Sequence, residues 1–149
     1  LIEEAFARVG GKVIYRSLKL RPGKSTIFGL LGNTLFFGMP GPPPAVQLLF
    51  NELLRPALLC LQGGTHCLPR QARAYLTEEL GLRQRGLPRL KSARITIADG
   101  RCLVHPTHQN EPANCYIYCP AGRRLLRNGE KVRVHLLDGG GVSSSVNFD

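Results

Sequence analysis

Residues 21–41 read RPGKSTIFGLLGNTLFFGMPG and hold two short apolar runs between two Pro-Gly turns. The runs, residues 26–31 and 34–38, are joined by Gly32-Asn33. A two-residue Gly-Asn connection between apolar runs predicts a β-hairpin. The turn before the hairpin is Arg21-Pro22-Gly23-Lys24, and the turn after it is Met39-Pro40-Gly41. This stretch therefore predicts a small antiparallel sheet.

The segments upstream of the hairpin predict one helix and one more strand. Residues 1–9 carry apolar side chains at positions 1, 2, 5, 6 and 9, which is the spacing of one helix face, and Gly10-Gly11 ends it. Residues 12–20 are rich in β-branched and aromatic side chains, which favours a strand.

Downstream of the hairpin, residues 45–61 predict a long helix. Its polar side chains Gln47, Asn51 and Arg55 recur at every fourth position and, with Glu52 beside them, form one narrow stripe. Because the rest is apolar, we expect this helix to be largely buried. Pro56 is expected to kink it, and Gly63-Gly64 to end it.

The second half predicts an all-β unit. Strands are predicted at residues 90–98, 101–105, 115–119 and 131–137, with turns at Ala98-Asp99-Gly100 and Asn128-Gly129. Residues 72–77 fit a strand or a helix equally well. The fold class is therefore α/β followed by all-β, with domains at 1–63 and 64–138. Residues 139–149 form a Gly/Ser tail that we expect to be disordered.

Composition limits the classes of protein that this chain can belong to. It has 149 residues, 43% of them hydrophobic, which suits one ordinary domain or two small ones. No apolar run approaches the roughly 18–20 residues of a membrane helix, so no membrane role is predicted. The chain starts at Leu1 and has no basic-then-apolar leader. We expect a piece of a longer cytoplasmic protein.

The net charge of +10 favours anionic partners. The cations are scattered along the chain and aromatic residues make up only 7% of it. Proteins that stack nucleic-acid bases need aromatic rings placed among cations. Nucleic acid is therefore expected to be an unlikely partner. A basic nucleic-acid-binding module is the weakest functional hypothesis for this chain.

The five cysteines are an odd number at irregular spacing, which favours a reducing compartment over a disulfide scaffold. A zinc site is the alternative, with Cys102, His105, His108, Cys115 and Cys119 as its candidate ligands. Cys115 and Cys119 would lie about 13 Å apart on a strand, too far for both to bind one ion. We predict structural cysteines and no metal site.

The turns beside the hairpin hold the best candidates for chemistry. Arg21, Lys24 and Ser25 offer two cations and a hydroxyl, and Gly23 lets the backbone approach a ligand closely. Pro40 and Gly41 lead into a helix N-terminus, where anions bind. An ordinary solvated turn remains the alternative interpretation of both.

Taken together, these motifs resemble one family. The Arg21-Pro22-Gly23-Lys24 turn, the hairpin, Met39-Pro40-Gly41 and a buried helix are similar to the later part of the molybdopterin molybdenumtransferases, the MoeA and gephyrin E-domain proteins. Farther on, Asn114-Cys115 and Gly129-Glu130-Lys131-Val132 resemble that family's last domain. The likeness rests on the collinear order of the motifs over nearly the whole chain.

The resemblance implies the later part of a three-layer α/β molybdopterin-binding domain and a small C-terminal β-barrel-like domain. It implies a transferase that inserts molybdate into adenylylated molybdopterin with release of AMP, and that works as a homodimer. Arg21, Gly23, Lys24, Ser25, Pro40, Gly41 and Arg94 would bind this substrate, and no catalytic residue is assigned. Magnesium is also implied, through an Asp expected upstream of Leu1.

The chain departs from the family pattern at several positions. Three prolines, 42–44, and then Ala45 stand where the family has Asn-Pro-x-Ser. Ser25 replaces a proline. Ser92 stands where an arginine is usual, and Arg94, on the same strand face, would substitute for it. The loop that begins at His108-Gln109-Asn110 is short. These departures keep open a second hypothesis, a non-catalytic relative that retains the fold for dimerisation or for binding a cofactor or a partner.

Overall fold

The computed structural model describes residues 2–82, 86–108 and 111–137, and the chain forms two compact units, Leu1–Cys67 and Leu68–Asp149. The predictions for the Gln109-Asn110 loop and for the tail at 139–149 lie outside the described residues. The elements of the first unit are α1 (Ile2–Arg8), β1 (Lys12–Arg16), β2 (Ile27–Leu31), β3 (Thr34–Gly38), α2 (Pro43–Leu49), a π-helical segment (Phe50–Leu54) and α3 (Arg55–Leu61).

The predicted hairpin is confirmed. Strands β1, β2 and β3 form an antiparallel sheet in that order, and Leu31 pairs with Thr34 across the Gly32-Asn33 turn. Gly32 has a φ of 57°, which suits glycine. The strand predicted over residues 12–20 is too long. It ends at Arg16, because Ser17 turns into the left-handed region at φ 62° and starts a loop.

Helix α1 is anchored to the sheet by Phe6, which is 6% exposed. Its ring stacks on Phe36, with the two centroids 4.3 Å apart. A Cβ at Gly11 would lie 2.6 Å from this ring, and one at Gly29 would lie 2.7 Å from it. The absence of a side chain at Gly11 and at Gly29 therefore provides the space that the Phe6 ring fills.

The long helix is present, but the prediction that it is largely buried is wrong. It begins at Pro43, two residues before Ala45, and in all three of its segments only Leu48, Leu49 and Pro56 are buried. Amphipathic spacing marks an apolar face without showing that another element covers it. Leu61, for example, is 68% exposed.

Pro56 changes the helix in a specific way. Proline has no N–H to donate to a carbonyl one turn earlier. In the turn just before it, the N–H of Arg55 donates to the carbonyl of Phe50, five residues back, and Phe50–Leu54 are π-helical. The helix then continues to Leu61 and ends as predicted, where Gly63 adopts a φ of 84°.

The second unit is a closed five-stranded barrel, which confirms the predicted β-barrel-like architecture. The strands of the unit are β4 (Gln71–Leu76), β5 (Leu80–Gly81), β6 (Arg89–Ala98), β7 (Arg101–Pro106), β8 (Cys115–Cys119), β9 (Leu125–Leu126) and β10 (Lys131–Leu136). The strand order in the barrel is β10-β4-β7-β6-β8. The ambiguous segment is thus a strand, with Ala72, Ala74 and Leu76 buried in the barrel core. The two-residue strands β5 and β9 pair with each other and were not predicted, because they are too short to show any periodicity.

Candidate functional site

The sheet brings the two predicted loops to one end of the first unit. Residue Ile27, the first of β2, pairs with Arg16 at the end of β1 and with Gly38 at the end of β3. The loop of residues 17–26 and the loop of residues 39–42 therefore start from neighbouring strand ends. The Gly32-Asn33 hairpin makes this arrangement predictable from sequence.

The loop of residues 17–26 is held by its own backbone. The carbonyl of Gly23 accepts hydrogen bonds from the N–H groups of Leu18, at 2.9 Å, and Thr26, at 3.2 Å. The N–H of Ser17 donates to the carbonyl of Thr26 at 2.7 Å. The Arg21-Pro22 peptide bond is cis. The loop is thus an ordered structure built around Gly23.

Gly23 is required by close packing. A Cβ there would lie 2.8 Å from the carbonyl oxygen of Leu20 and 2.9 Å from Cβ of Leu18. We expect Gly23→Ala to lower the free energy of unfolding by about 1–3 kcal/mol, the usual cost of overpacking. Urea unfolding measures this, and Gly41→Ala is the matched control, since a Cβ at Gly41 meets no atom within 4 Å. Equal stabilities of the two variants would contradict the packing argument.

Lys24 and Ser25 border an open cleft of about 530 Å³. The other residues lining it are Ile2, Glu3, Glu4, Arg16, Ser17, Thr26 and Ile27. Arg21 and Gly23 belong to the same loop but not to this lining. Among the predicted site residues, the structure therefore brings Lys24 and Ser25 together in the cleft, and leaves Arg21 half-buried elsewhere in the loop.

Thr26 also lines the cleft, and no pattern in the sequence indicated it. It is 1% exposed, and its Oγ1 has no hydrogen-bond partner within the described part of the chain. A buried hydroxyl without a partner is costly, and this one lies beside the cleft that the residue helps to line. The sequence showed Thr26 only as the start of a strand.

The charges in the cleft are nearly balanced. Arg16 Nε donates to Glu3 Oε2 at 2.6 Å, and Glu4 adds a second carboxylate. Among the described residues, Lys24 has no ion-pair partner, and its side chain is exposed. Lys24 is therefore the cation of this cleft that can pair with an added anion without first breaking an ion pair.

The second loop offers few donors. Pro42 is the N-cap residue of α2, and Pro43 and Pro44 fill its first positions. The first N–H groups that follow, of Ala45 and Val46, both donate to the carbonyl of Pro42, at 3.0 and 3.1 Å. This helix start presents no free N–H between residues 42 and 46, so Pro40 and Gly41 can act only through the loop itself.

Arg94 lies in the other unit, on β6. It is exposed and pairs in register with His105, while Ala93 and Ile95 on either side of it are buried. Ser92 shares its outward face, as the strand alternation predicts.

No group of three or more His, Cys, Asp or Glu residues in the described part of the chain could hold a metal ion. The described residues thus supply no magnesium site, and no chemical step is assigned to one. All five cysteines are free. Burial raises the pKa of the Cys115 thiol to about 12 and that of Cys119 to about 11, so both stay protonated at neutral pH.

The combination of a sheet-and-helix unit with a small closed barrel is a known architecture. The chain is similar to the crystal structure of a MoeA protein of molybdopterin biosynthesis from Pyrococcus horikoshii, with a TM-score of 0.75, at 23% identity, over 93% of this chain and 35% of that one. A molybdenum cofactor biosynthesis protein from Pyrococcus furiosus matches 84% of this chain, with a TM-score of 0.59 and 25% identity.

The amino-acid sequence of the chain is similar to those of curated proteins of molybdenum cofactor biosynthesis. The chain is 24% identical over 145 residues to a molybdopterin molybdenumtransferase of Staphylococcus aureus and 26% identical to that of Staphylococcus epidermidis. The match covers 92% of this chain and 34% of the relatives. No family model matches the chain. The resemblance to the molybdopterin molybdenumtransferases is confirmed, and the chain spans about a third of their length.

In the described part of the chain, no helix combines the length and the apolar character needed to cross a membrane.

Proposed function

We propose that this chain serves molybdenum cofactor biosynthesis, as part of a molybdopterin molybdenumtransferase that inserts molybdate into adenylylated molybdopterin and releases AMP. The observation that carries the proposal is the fold match over 93% of the chain, joined to relatives of that name. The enzyme would act in the cytoplasm as a homodimer, with magnesium held by residues outside this chain. The five free cysteines agree with a reducing compartment.

The cleft gives each loop residue a role in holding the oxyanion. Lys24 would supply the charge, and the exposed Ser25 would donate a hydrogen bond to molybdate or to the pterin phosphate. Gly23 would keep the loop in shape, and Arg21 would add positive potential. Pro40, Gly41 and Arg94 would contact the rest of the substrate.

A second candidate function is a non-catalytic relative that keeps the fold for dimerisation or for binding a cofactor or a partner. Two observations favour it. Carboxylates of Glu3 and Glu4 line the same cleft as Lys24, and the helix start at 42–46 has no free N–H group. Both features weaken an anion site.

Lys24→Ala tests the proposed site. We expect molybdate binding to weaken by about 1.5–3 kcal/mol, the contribution of one charge-assisted contact, with the fold unchanged. Isothermal calorimetry at constant ionic strength, on the intact protein that contains this chain, measures the affinity. Lys19→Ala is the matched control, because Lys19 is exposed in the same loop and does not line the cleft.

The outcomes separate the two functions. Weakened binding in Lys24→Ala with unchanged binding in Lys19→Ala supports the transferase. If both variants bind molybdate as tightly as the unchanged intact protein, the loop is an ordinary solvated turn. Absence of molybdate binding by the correctly folded intact protein that contains this chain favours the non-catalytic relative.

A further inference from the structure

One outer face of the barrel places cations beside tyrosine rings. On β4, Ala72 and Ala74 point into the core, so Arg73 and Tyr75 point outward. Strand β10 pairs with β4 and sets Lys131 opposite Tyr75 and Arg133 opposite Arg73. The neighbouring strands β7 and β8 add one residue each. We call this surface the β4–β10 face, and its residues are Arg73, Tyr75, Arg101, Tyr118, Lys131 and Arg133.

The positive charge of this face is uncompensated within the described chain. Arg73 and Arg133 are directly opposite across two strands, and like charges at such positions destabilise a sheet. Among the described residues, no carboxylate pairs with either guanidinium, nor with Arg101 or Lys131. An anionic ligand would relieve this repulsion.

The tyrosine rings lie among these cations. Arg101 Cζ lies 6.0 Å from the centroid of the Tyr75 ring, and Lys131 Nζ lies 5.8 Å from it. Arg133 Cζ lies 5.4 Å from the centroid of Tyr118. These three cations lie over the rings, and Tyr118 also stacks on His135, with centroids 6.4 Å apart. Tyr75 is 37% exposed and Tyr118 is half-buried, so a base would stack on either ring where the cation turns away to bind a phosphate.

A cavity of about 150 Å³ opens on this face. Arg73, Lys131, Arg133 and Tyr118 line it, together with the carboxylate of Glu130. That carboxylate is already bound, because Arg123 Nη2 donates to both of its oxygens, at 2.8 and 2.9 Å, and the N–H of Arg127 donates to it at 3.0 Å. The hydrogen bond from the Arg127 N–H, and then those from Arg123, lower the pKa of Glu130. The negative charge of Glu130 is offset by Arg123, so the three cations dominate the cavity.

A ligand for this face should carry repeated negative charges and flat rings. Single-stranded nucleic acid carries both: its phosphates match the cations, and its unpaired bases can stack on tyrosine. An acidic peptide matches the cations only. A base-paired duplex keeps the faces of its bases stacked inside the helix, away from the tyrosines.

We propose that the β4–β10 face binds single-stranded nucleic acid, with phosphates on Arg73, Arg101, Lys131 and Arg133 and bases on Tyr75 and Tyr118. This goes beyond the proposed transferase function and uses none of its residues. The aromatic content of 7% argued against such a partner, but strand pairing gathers two tyrosines among four cations that are far apart in sequence.

Fluorescence anisotropy with a labelled oligo-uridylate of about 12 nucleotides tests the proposal, since small β-barrel binders cover sites of this size. We expect log Kd to rise linearly with log salt, with a slope of about 0.7 for each phosphate neutralised. Tyr75→Leu should weaken binding by roughly 5- to 150-fold, the loss of one stacked base, and Tyr75→Phe should retain it.

Charge variants separate this face from the general positive charge. Arg133→Ala should weaken binding about tenfold and lower the salt slope by about one phosphate contact, and Arg101→Ala serves if that variant does not fold. Arg8→Ala removes the same charge from helix α1 and should change Kd by less than about twofold. Equal effects of Arg133→Ala and Arg8→Ala would overturn the proposal. So would unchanged binding in Tyr75→Leu, or an oligoglutamate peptide that competes as well as the oligonucleotide.

Discussion

Replacing Phe6 with alanine should lower the free energy of unfolding of the first unit by about 3–5 kcal/mol. The ring is 6% exposed, stacks on Phe36 and fills the space above Gly11 and Gly29. Removing it leaves a cavity between helix α1 and the sheet, and the two glycines have no side chains that could fill it. Helix α1 would lose its buried anchor, since Phe6 is its only buried residue within Ile2–Arg8.

Urea unfolding followed by far-UV circular dichroism measures this loss. Phe50→Ala is the matched control, because it removes the same ring from a position that is 38% exposed. We expect the control to cost clearly less than Phe6→Ala. If both substitutions cost the same, Phe6 does not anchor the helix.

Local patterns in the sequence predicted much of this fold. Gly32-Asn33 sets the hairpin, and the Gly63-Gly64 pair ends the long helix, because each of these turns depends on neighbouring residues only. The strands predicted at residues 90–98, 101–105, 115–119 and 131–137 likewise correspond to β6, β7, β8 and β10.

Features that depend on distant contacts were not predictable. The end of β1 at Arg16 follows from the hydrogen bond between Ser17 and Thr26, across the intervening loop. The exposure of Leu61 depends on which elements cover the long helix, and no pattern within the helix contains that information.

The same difference between local patterns, which the sequence shows, and distant contacts, which it does not, applies to the candidate site. Lys24 and Ser25 were identified from a local turn, and they do line the cleft. Glu3 and Glu4, which offset its charge, come from a helix about twenty residues earlier, so the turn alone suggested a more basic site than the structure has. Thr26 was missed because burial and the absence of a partner for its hydroxyl are properties of the folded loop.

Replacing Asn114 should have the second large effect on stability. The contacts of Asn114 also give a structural role to the Asn114-Cys115 motif, which the sequence related to a family without explaining it. Its Oδ1 accepts a hydrogen bond from the N–H of Ile95 at 2.7 Å, and its Nδ2 donates to the carbonyl of Ile95 at 3.0 Å. The N–H of Asn114 also donates to the carbonyl of Ala93, at 3.1 Å. The side chain thus continues the pairing of β6 just beyond the first residue of β8, Cys115.

Asn114→Ala should therefore lower the free energy of unfolding of the barrel by about 2–4 kcal/mol, because it leaves both backbone groups of the buried Ile95 without this partner. Asn128→Ala makes the same chemical change in an exposed turn of the same barrel and should cost no more than about 0.5 kcal/mol. Hydrogen exchange adds a residue-specific measurement, since the Ile95 amide should exchange faster only in Asn114→Ala. If the Ile95 amide stays as protected as in the parent chain, another group or a water satisfies it, and Asn114 is not what holds β6 at this point.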